Sequence, residues 1–80
     1  MRFVLISRHQ CHLCDEMRTL LDGELEPRGL RYEVVDVDSD AELRERFGDV
    51  VPVLLRDGQV VAKVRLDARR LTRLIARRRD

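Results

Sequence analysis

The order of apolar and polar positions predicts a strand followed by a helix at the start of the chain. Phe3–Ile6 is an uninterrupted apolar run bounded by polar residues, which is typical of a strand buried on both faces. Beyond it, apolar residues recur at intervals that place them on one face of a helix. These residues are Leu13, Met17, Leu20 and Leu21. Gly23, which precedes Pro27, predicts that this helix ends near Gly23.

A second strand and a short helix are predicted next. β-Branched and aromatic residues concentrate between Leu30 and Val37, which favours a strand. Ser39 and Glu42 have capping-box spacing, so we expect Ser39 to begin a helix that Gly48 ends. The apolar residues of this helix are Leu43 and Phe47.

The last part of the pattern predicts a hairpin and a final helix. Pro52–Leu55 and Val60–Val64 are strand-like runs, and the Asp57-Gly58 pair between them is a strong hairpin signal. Asp67 is placed to cap a helix. The apolar side of that helix consists of Leu71, Leu74 and Ile75.

The resulting order is β-α-β-α-β-β-α. A helix between the first two strands implies that they are parallel, whereas the hairpin adds antiparallel strands. We therefore expect an α/β fold in which helices pack on a four-stranded mixed sheet. Eighty residues suffice for one domain, residues 1–80, which we expect to be monomeric. No apolar run is long enough to span a bilayer and no export signal is evident, so we expect a cytoplasmic protein without a membrane partner.

Charge adds little to this picture until its distribution is considered. Charged residues make up 39% of the chain but nearly cancel, to a formal net charge of +1. Arginines concentrate in the last segment, at positions 69, 70, 73, 77, 78 and 79. Because no aromatic stacking platform accompanies them, we interpret this segment as a solvated helix face and expect no nucleic-acid partner.

Cys11 and Cys14 are the residues that carry candidate chemistry. A disulfide between them closes too small a loop to stabilise a fold much, so redox activity or metal binding is favoured over a structural role. Cys11 is expected at the start of the first helix, where free amides and the helix dipole favour a thiolate. There the thiol pKa can fall from about 8.5 into the range of about 3.5 to 7.5. Cys14, one turn later, is suited to resolve a mixed disulfide formed by Cys11.

Neighbouring residues modify this prediction. His12 and Arg8 can favour the Cys11 thiolate, and Arg8 can hold an anionic substrate, whereas Asp15 opposes the thiolate. A metal site is the alternative, and it would require four ligands from six consecutive residues. These ligands would be His9, Cys11, His12 and Cys14. For Pro52, the residues alone favour a trans bond, because only about 5–6% of X-Pro bonds in folded proteins are cis.

Three features together resemble the glutaredoxin-like branch of the thioredoxin superfamily. They are the Cys11-His12-Leu13-Cys14 site after a first strand, Val51-Pro52 at the opening of a third strand, and the Asp57-Gly58 hairpin. The closest likeness is to small bacterial glutaredoxin-like proteins with a Cys-x-Leu-Cys site. This resemblance implies a thioredoxin-like fold and a thiol–disulfide oxidoreductase that reduces protein disulfides or glutathione-mixed disulfides. It also implies glutathione as reductant or co-substrate, without a bound cofactor.

The resemblance further implies a substrate-binding set around the two cysteines. Pro52 would be cis and face them, Val51 would offer its backbone to a thiol substrate, and Arg8 would hold a carboxylate. His12 is a further substrate-binding candidate because of its position between the two cysteines. Ala62 and Lys63 stand near the positions of a usual glycine pair, which weakens the expectation of glutathione binding more than that of disulfide exchange. Two alternatives stay open: the metal-binding module, and an inactive thioredoxin-like adaptor that docks through its arginine-rich helix.

Overall fold

The computed structural model describes residues 1–76, and residues 77–80 lie outside the described part, including Arg77, Arg78 and Arg79 of the predicted arginine-rich segment. The strands are β1 (Phe3–Ser7), β2 (Tyr32–Asp36), β3 (Val53–Arg56) and β4 (Gln59–Lys63). The helices are α1 (His12–Leu25), α2 (Ala41–Phe47) and α3 (Ala68–Ala76). Short 3-10 segments follow α1 at Glu26–Arg28 and β2 at Val37–Ser39.

The four strands form one mixed sheet in the order β2-β1-β3-β4. β1 is parallel to β2 and antiparallel to β3, and β3 is antiparallel to β4. The element order and the mixed sheet predicted from the sequence are therefore confirmed. No helix within residues 1–76 is long and apolar enough to cross a membrane.

Two apolar clusters cover opposite faces of the sheet. Alternate residues of a strand point to opposite faces, so Leu5 and Ile6 of β1 belong to different clusters. The larger cluster joins the sheet to α1 and α3: Phe3, Leu5, Met17, Leu21, Leu25, Leu54, Ala62 and Leu71. The smaller one joins it to α2: Ile6, Val37, Phe47 and Val53. Helices thus lie on both faces, and β1 is buried on both sides as predicted.

The predicted end of α1, near Gly23 and before Pro27, is confirmed to lie before Pro27 but falls two residues beyond Gly23. The helix continues to Leu25, because the Leu25 side chain is buried in the larger cluster. The turn that follows ends at Gly29, whose positive φ of 71° suits glycine. The Gly29 N–H donates to the Glu26 carbonyl and the Leu30 N–H to the Leu25 carbonyl, both at 3.0 Å. These two bonds form a Schellman motif, in which Leu30 also packs against the cluster containing Leu25.

The predicted capping box of α2 is also wrong, by one position. Asp40 is the N-cap, and its Oδ1 accepts a 3.0 Å hydrogen bond from the Glu42 N–H. The Ser39 hydroxyl instead donates to the Asp36 carbonyl at 2.7 Å, because Ser39 belongs to the preceding 3-10 segment. The end of α2 before Gly48 is confirmed.

The hairpin and the start of α3 agree with the sequence prediction. Asp57 and Gly58 have φ values of 51° and 86°, as the two central residues of a type I′ turn require. The Asp67 carboxylate accepts a 2.8 Å hydrogen bond from the Arg70 N–H and so caps α3.

Candidate active site

Three segments of the chain meet at one end of the sheet, where β1 ends, β3 begins and β4 ends. Strand register pairs Ile6 with Val53 and Val53 with Lys63. The residues that follow β1, precede β3 and follow β4 therefore lie beside one another at this end of the sheet. A 2.7 Å hydrogen bond from the Val64 N–H to the Pro52 carbonyl joins the last two segments. The first segment leads from β1 into Cys11 and α1.

Cys11 and Cys14 form a disulfide at the start of α1, with their Cα atoms 5.2 Å apart. Cys11 is the N-cap residue, with extended backbone angles, and its Sγ accepts a 3.2 Å hydrogen bond from the Cys14 N–H. Cys14 has no exposed surface, whereas Cys11 is partly exposed. Cys11 is therefore the more accessible residue of the pair, and Cys14 lies within the protein.

The other residues of the predicted metal cluster do not gather around the cysteines. His12 is largely exposed, and its Nε2 lies 2.9 Å from Oε2 of Glu16, one turn along α1. His9 is exposed in the loop before Cys11. Throughout residues 1–76, no group of three or more His, Cys, Asp or Glu side chains is arranged to hold a metal ion.

Arg8 connects the end of β1 to two loops on the α2 side. Its Nε and Nη2 donate to the two carboxylate oxygens of Asp38 at 3.1 and 3.2 Å, and its Nη1 donates to the Gly48 carbonyl at 2.8 Å. The hydrogen bonds from Arg8 lower the pKa of Asp38, and the charges of Arg8 and Arg44 add to this effect. The same hydrogen bonding to Asp38 raises the pKa of the Arg8 guanidinium. The predicted role of Arg8 in holding a substrate carboxylate stays a prediction.

The Val51–Pro52 peptide bond is cis. The expectation that followed from the family resemblance is therefore confirmed, and the general preference of X-Pro bonds for trans does not hold here. Pro52 is buried and Val51 is half-buried. Their predicted contact with substrate stays a prediction. Both residues lie at the same end of the sheet as the segment that leads from β1 to Cys11.

A groove of about 430 Å³ lies between α1 and the segment that joins β4 to α3. We call it the α1–α3 groove. It is lined by Leu13, Glu16, Met17, Val64, Arg65, Leu66, Asp67 and Arg70. Val64 has a φ of 69°, which is uncommon for a β-branched residue. None of these residues was predicted to belong to a site, apart from Leu13 within the cysteine motif.

Residues 2–76 match the family model described as Glutaredoxin-like domain (DUF836). The chain belongs to this family. The predicted relationship and the thioredoxin-like α/β fold are thereby confirmed, and the chain is a glutaredoxin-like domain with a CxxC disulfide.

Solved structures of similar proteins agree with this assignment. The X-ray structure of protein XcR50 from X. campestris is 32% identical, over 92% of this chain and 95% of that one, with a TM-score of 0.78. The solution structure of Ne2328 from Nitrosomonas europaea is 27% identical, over 91% of this chain and 88% of that one, with a TM-score of 0.76. The search of curated proteins found no significant match to this chain.

Proposed function

We propose that this glutaredoxin-like domain is a thiol–disulfide oxidoreductase that reduces protein disulfides or glutathione-mixed disulfides through Cys11 and Cys14. One observation carries the proposal: a partly exposed cysteine caps a helix N-terminus through its sulfur, which is bonded to the sulfur of a second, fully buried cysteine. A structural staple is a poor alternative, because a bridge across three positions closes a very small loop.

The first step is attack by the reduced form of Cys11. The Cys14 N–H and the positive end of the α1 dipole stabilise a negative charge on Cys11 Sγ. The thiolate attacks one sulfur of the target disulfide and forms a mixed disulfide with it. The target S–S bond breaks, and its other sulfur leaves as a thiolate that takes up a proton.

The second step uses the buried sulfur. Cys14 loses its proton and attacks Cys11 Sγ, which forms the Cys11–Cys14 disulfide and releases the target's remaining sulfur as a thiolate. The target has then gained two electrons and two protons, and the CxxC pair has lost them. A thiol reductant, either two molecules of glutathione or a protein dithiol, restores the two thiols.

Position supports the substrate-binding residues inferred from the resemblance. Val51 and Pro52 lie at the same end of the sheet as the segment that leads to Cys11, and Val51 is only half-buried, so an extended target attached to Cys11 could pair with the Val51 backbone. Arg8 and His12 flank Cys11 in sequence, and each already has a carboxylate partner. We therefore assign the main substrate contact to the segment of Val51 and Pro52.

Titration of free thiols tests the proposal. The reduced protein contains two thiols, and mild oxidation is expected to remove both together while the protein stays monomeric on a non-reducing gel. Cys11→Ser and Cys14→Ser variants serve as controls, because each has one thiol and cannot form the internal bond. Two thiols that remain free under oxidant, or a disulfide found only between molecules, would contradict the proposal.

A further inference from the structure

Two loops bring the proposed reaction site together, and Arg8 joins them. The cysteine loop, residues 8–10, leads from β1 to Cys11, and the proline loop, residues 48–52, leads from α2 to β3. We infer that Arg8 is a positioning residue that holds the proline loop against the cysteine loop, so that one extended substrate reaches both Cys11 and the Val51 backbone. The inference deepens the proposed function and rests on it, and it assigns Arg8 a role other than binding a substrate carboxylate.

All three nitrogens of the Arg8 guanidinium have partners in the protein. Nε and Nη2 donate to the two carboxylate oxygens of Asp38 at 3.1 and 3.2 Å, and Nη1 donates to the Gly48 carbonyl at 2.8 Å. Asp38 is itself held by a 2.9 Å hydrogen bond from its N–H to Oδ1 of Asp36, at the end of β2. The paired contact with Asp38 fixes the plane of the guanidinium, a geometry that arginine provides and lysine does not. The third contact then places Gly48, the first residue of the proline loop.

Hydrogen bonds within the chain carry this placement from Gly48 to the segment that would contact substrate. The Gly48 N–H donates to the Arg44 carbonyl and the Val50 N–H to the Phe47 carbonyl, both at 2.9 Å. The proline loop is therefore a short, hydrogen-bonded turn that leads from α2 directly into Val51. A shift of Gly48 would shift the Val51 backbone with it.

The cysteine loop gives Arg8 a fixed position from which to hold the proline loop. β1 ends at Ser7, and only His9 and Gln10 separate Arg8 from Cys11. Gln10 has a φ of 54°, a left-handed conformation that residues other than glycine seldom adopt. Such residues persist where the surrounding structure holds them, often at functional sites. Arg8 is thus anchored on one side by β1 and on the other by the tight turn into Cys11.

The charge of Arg8 is matched by the carboxylate of Asp38. Hydrogen bonding to Asp38 raises the pKa of the Arg8 guanidinium, and the hydrogen bonds from Arg8 lower the pKa of Asp38. Both groups are therefore charged at neutral pH and compensate each other, so a substrate carboxylate would have to compete with Asp38. An exposed pair of this kind contributes little to the free energy of unfolding, so loss of Arg8 should leave a folded protein with a displaced proline loop.

Three disulfide substrates separate positioning from carboxylate binding. Two are extended peptides of equal length with blocked ends and one disulfide; one is uncharged, and the other has a glutamate beside the disulfide. The third is bis(2-hydroxyethyl) disulfide, which is too short to contact Cys11 and Val51 together. Because misplacement by about 1 Å can reduce a rate about 100-fold, we expect Arg8→Gln to lower kcat/KM about tenfold for both peptides and no more than about twofold for the small disulfide.

Further variants test the geometry of the contact. Arg8→Lys keeps the charge but not the paired contact, so it should still lower kcat/KM for both peptides at least about threefold. Asp38→Asn leaves the Arg8 charge free but removes one accepting oxygen, so it should also slow both peptides. The double variant Arg8→Gln/Asp38→Asn should lose no more than Arg8→Gln alone, because the two residues act through one contact. Arg31→Gln is the matched control and should change no rate, because Arg31 is exposed and precedes β2 at the opposite end of the sheet.

The possible results separate the inference from the proposed function. If the wild type reduces none of the three disulfides, the proposed function is wrong, and the inference falls with it. If the wild type reduces them, three results overturn the inference alone. Arg8→Gln could slow only the glutamate peptide, with Asp38→Asn accelerating it, which would show that Arg8 binds a substrate carboxylate. It could slow all three substrates equally, which would show a general structural role, or it could slow none.

Discussion

The sulfur of Cys11 occupies the place where helices usually carry a serine, threonine or aspartate, and substitution tests whether it acts as a cap. Cys11→Ser keeps an acceptor for the Cys14 N–H, which is 3.2 Å from Cys11 Sγ, whereas Cys11→Ala removes it. Neither variant can form the disulfide, so the comparison between them isolates this one hydrogen bond. Replacement of a serine N-cap by alanine costs about 1 kcal/mol, within a range of about 0.5–2 kcal/mol.

Thermal unfolding of the two variants, followed by circular dichroism with reductant present, measures the difference. For a domain of about 60–100 residues, 1 kcal/mol corresponds to a shift of about 4–8 °C in Tm, so Cys11→Ala should unfold at a temperature lower by that amount. The amide that stabilises a serine cap is also the donor that stabilises the Cys11 thiolate. Equal Tm values for the two variants would refute the reasoning, because the amide would then have no measurable preference for an acceptor at position 11.

Three further predictions concern the surrounding structure. Arg8 lowers the pKa of Asp38, so the stability that Asp38→Asn removes is present above the ordinary value of 3.8 and disappears as pH falls through the lowered pKa. Melting temperatures of both proteins from acid to neutral pH check this, and a constant difference would contradict it. Leu21→Ala, at a fully buried position, should cost about 2–5 kcal/mol in denaturant unfolding, and a loss below about 1 kcal/mol would be inconsistent with its packing. Gly29→Ala should destabilise the protein by about 1–2 kcal/mol, because the φ of Gly29 is 71°. Gly23→Ala should stabilise it by about 0.5–1 kcal/mol, because Gly23 lies inside α1 with open space around it. The reverse order of the two effects in denaturant unfolding would show that the helix ends at Gly23.

Local sequence signals predicted the elements that local chemistry determines. The Asp57-Gly58 turn requires residues that accept positive φ, and the pair that satisfies this requirement is visible in the sequence. The strand Phe3–Ile6 was recognisable because burial on both faces leaves no polar position in it. The place of the CxxC pair at the start of a helix followed from the same strand-to-helix pattern.

Long-range contacts decided the features that the sequence prediction placed wrongly or missed. Gly23 resembles a helix end, but burial of Leu25 carries the helix past it. Ser39 has capping spacing, but its hydroxyl is used by the 3-10 segment that precedes Asp40. The partners of Arg8 lie 30 and 40 residues away, and no local signal indicates them. The α1–α3 groove likewise exists only because α1 packs beside the start of α3.

The cis bond between Val51 and Pro52 was predicted by the family resemblance and not by the residues themselves. General preferences favour trans, and nothing in residues 51 and 52 alone reverses this. The combined spacing of the cysteine motif, this proline and the hairpin indicated the family, and with it the cis bond. Predicted roles for Arg8 and Val51 came from the same resemblance, and that of His12 came from its position between the cysteines; all three require measurement.

Trapping of the mixed disulfide tests the central claim most directly. Cys14→Ser should accumulate a covalent adduct with a disulfide substrate, visible by intact mass as one substrate thiol attached through Cys11 and released by reductant. Cys11→Ser should form no such adduct, because its remaining sulfur is fully buried. An adduct of Cys11→Ser at the same rate, or none with Cys14→Ser, would show that Cys11 is not the attacking group.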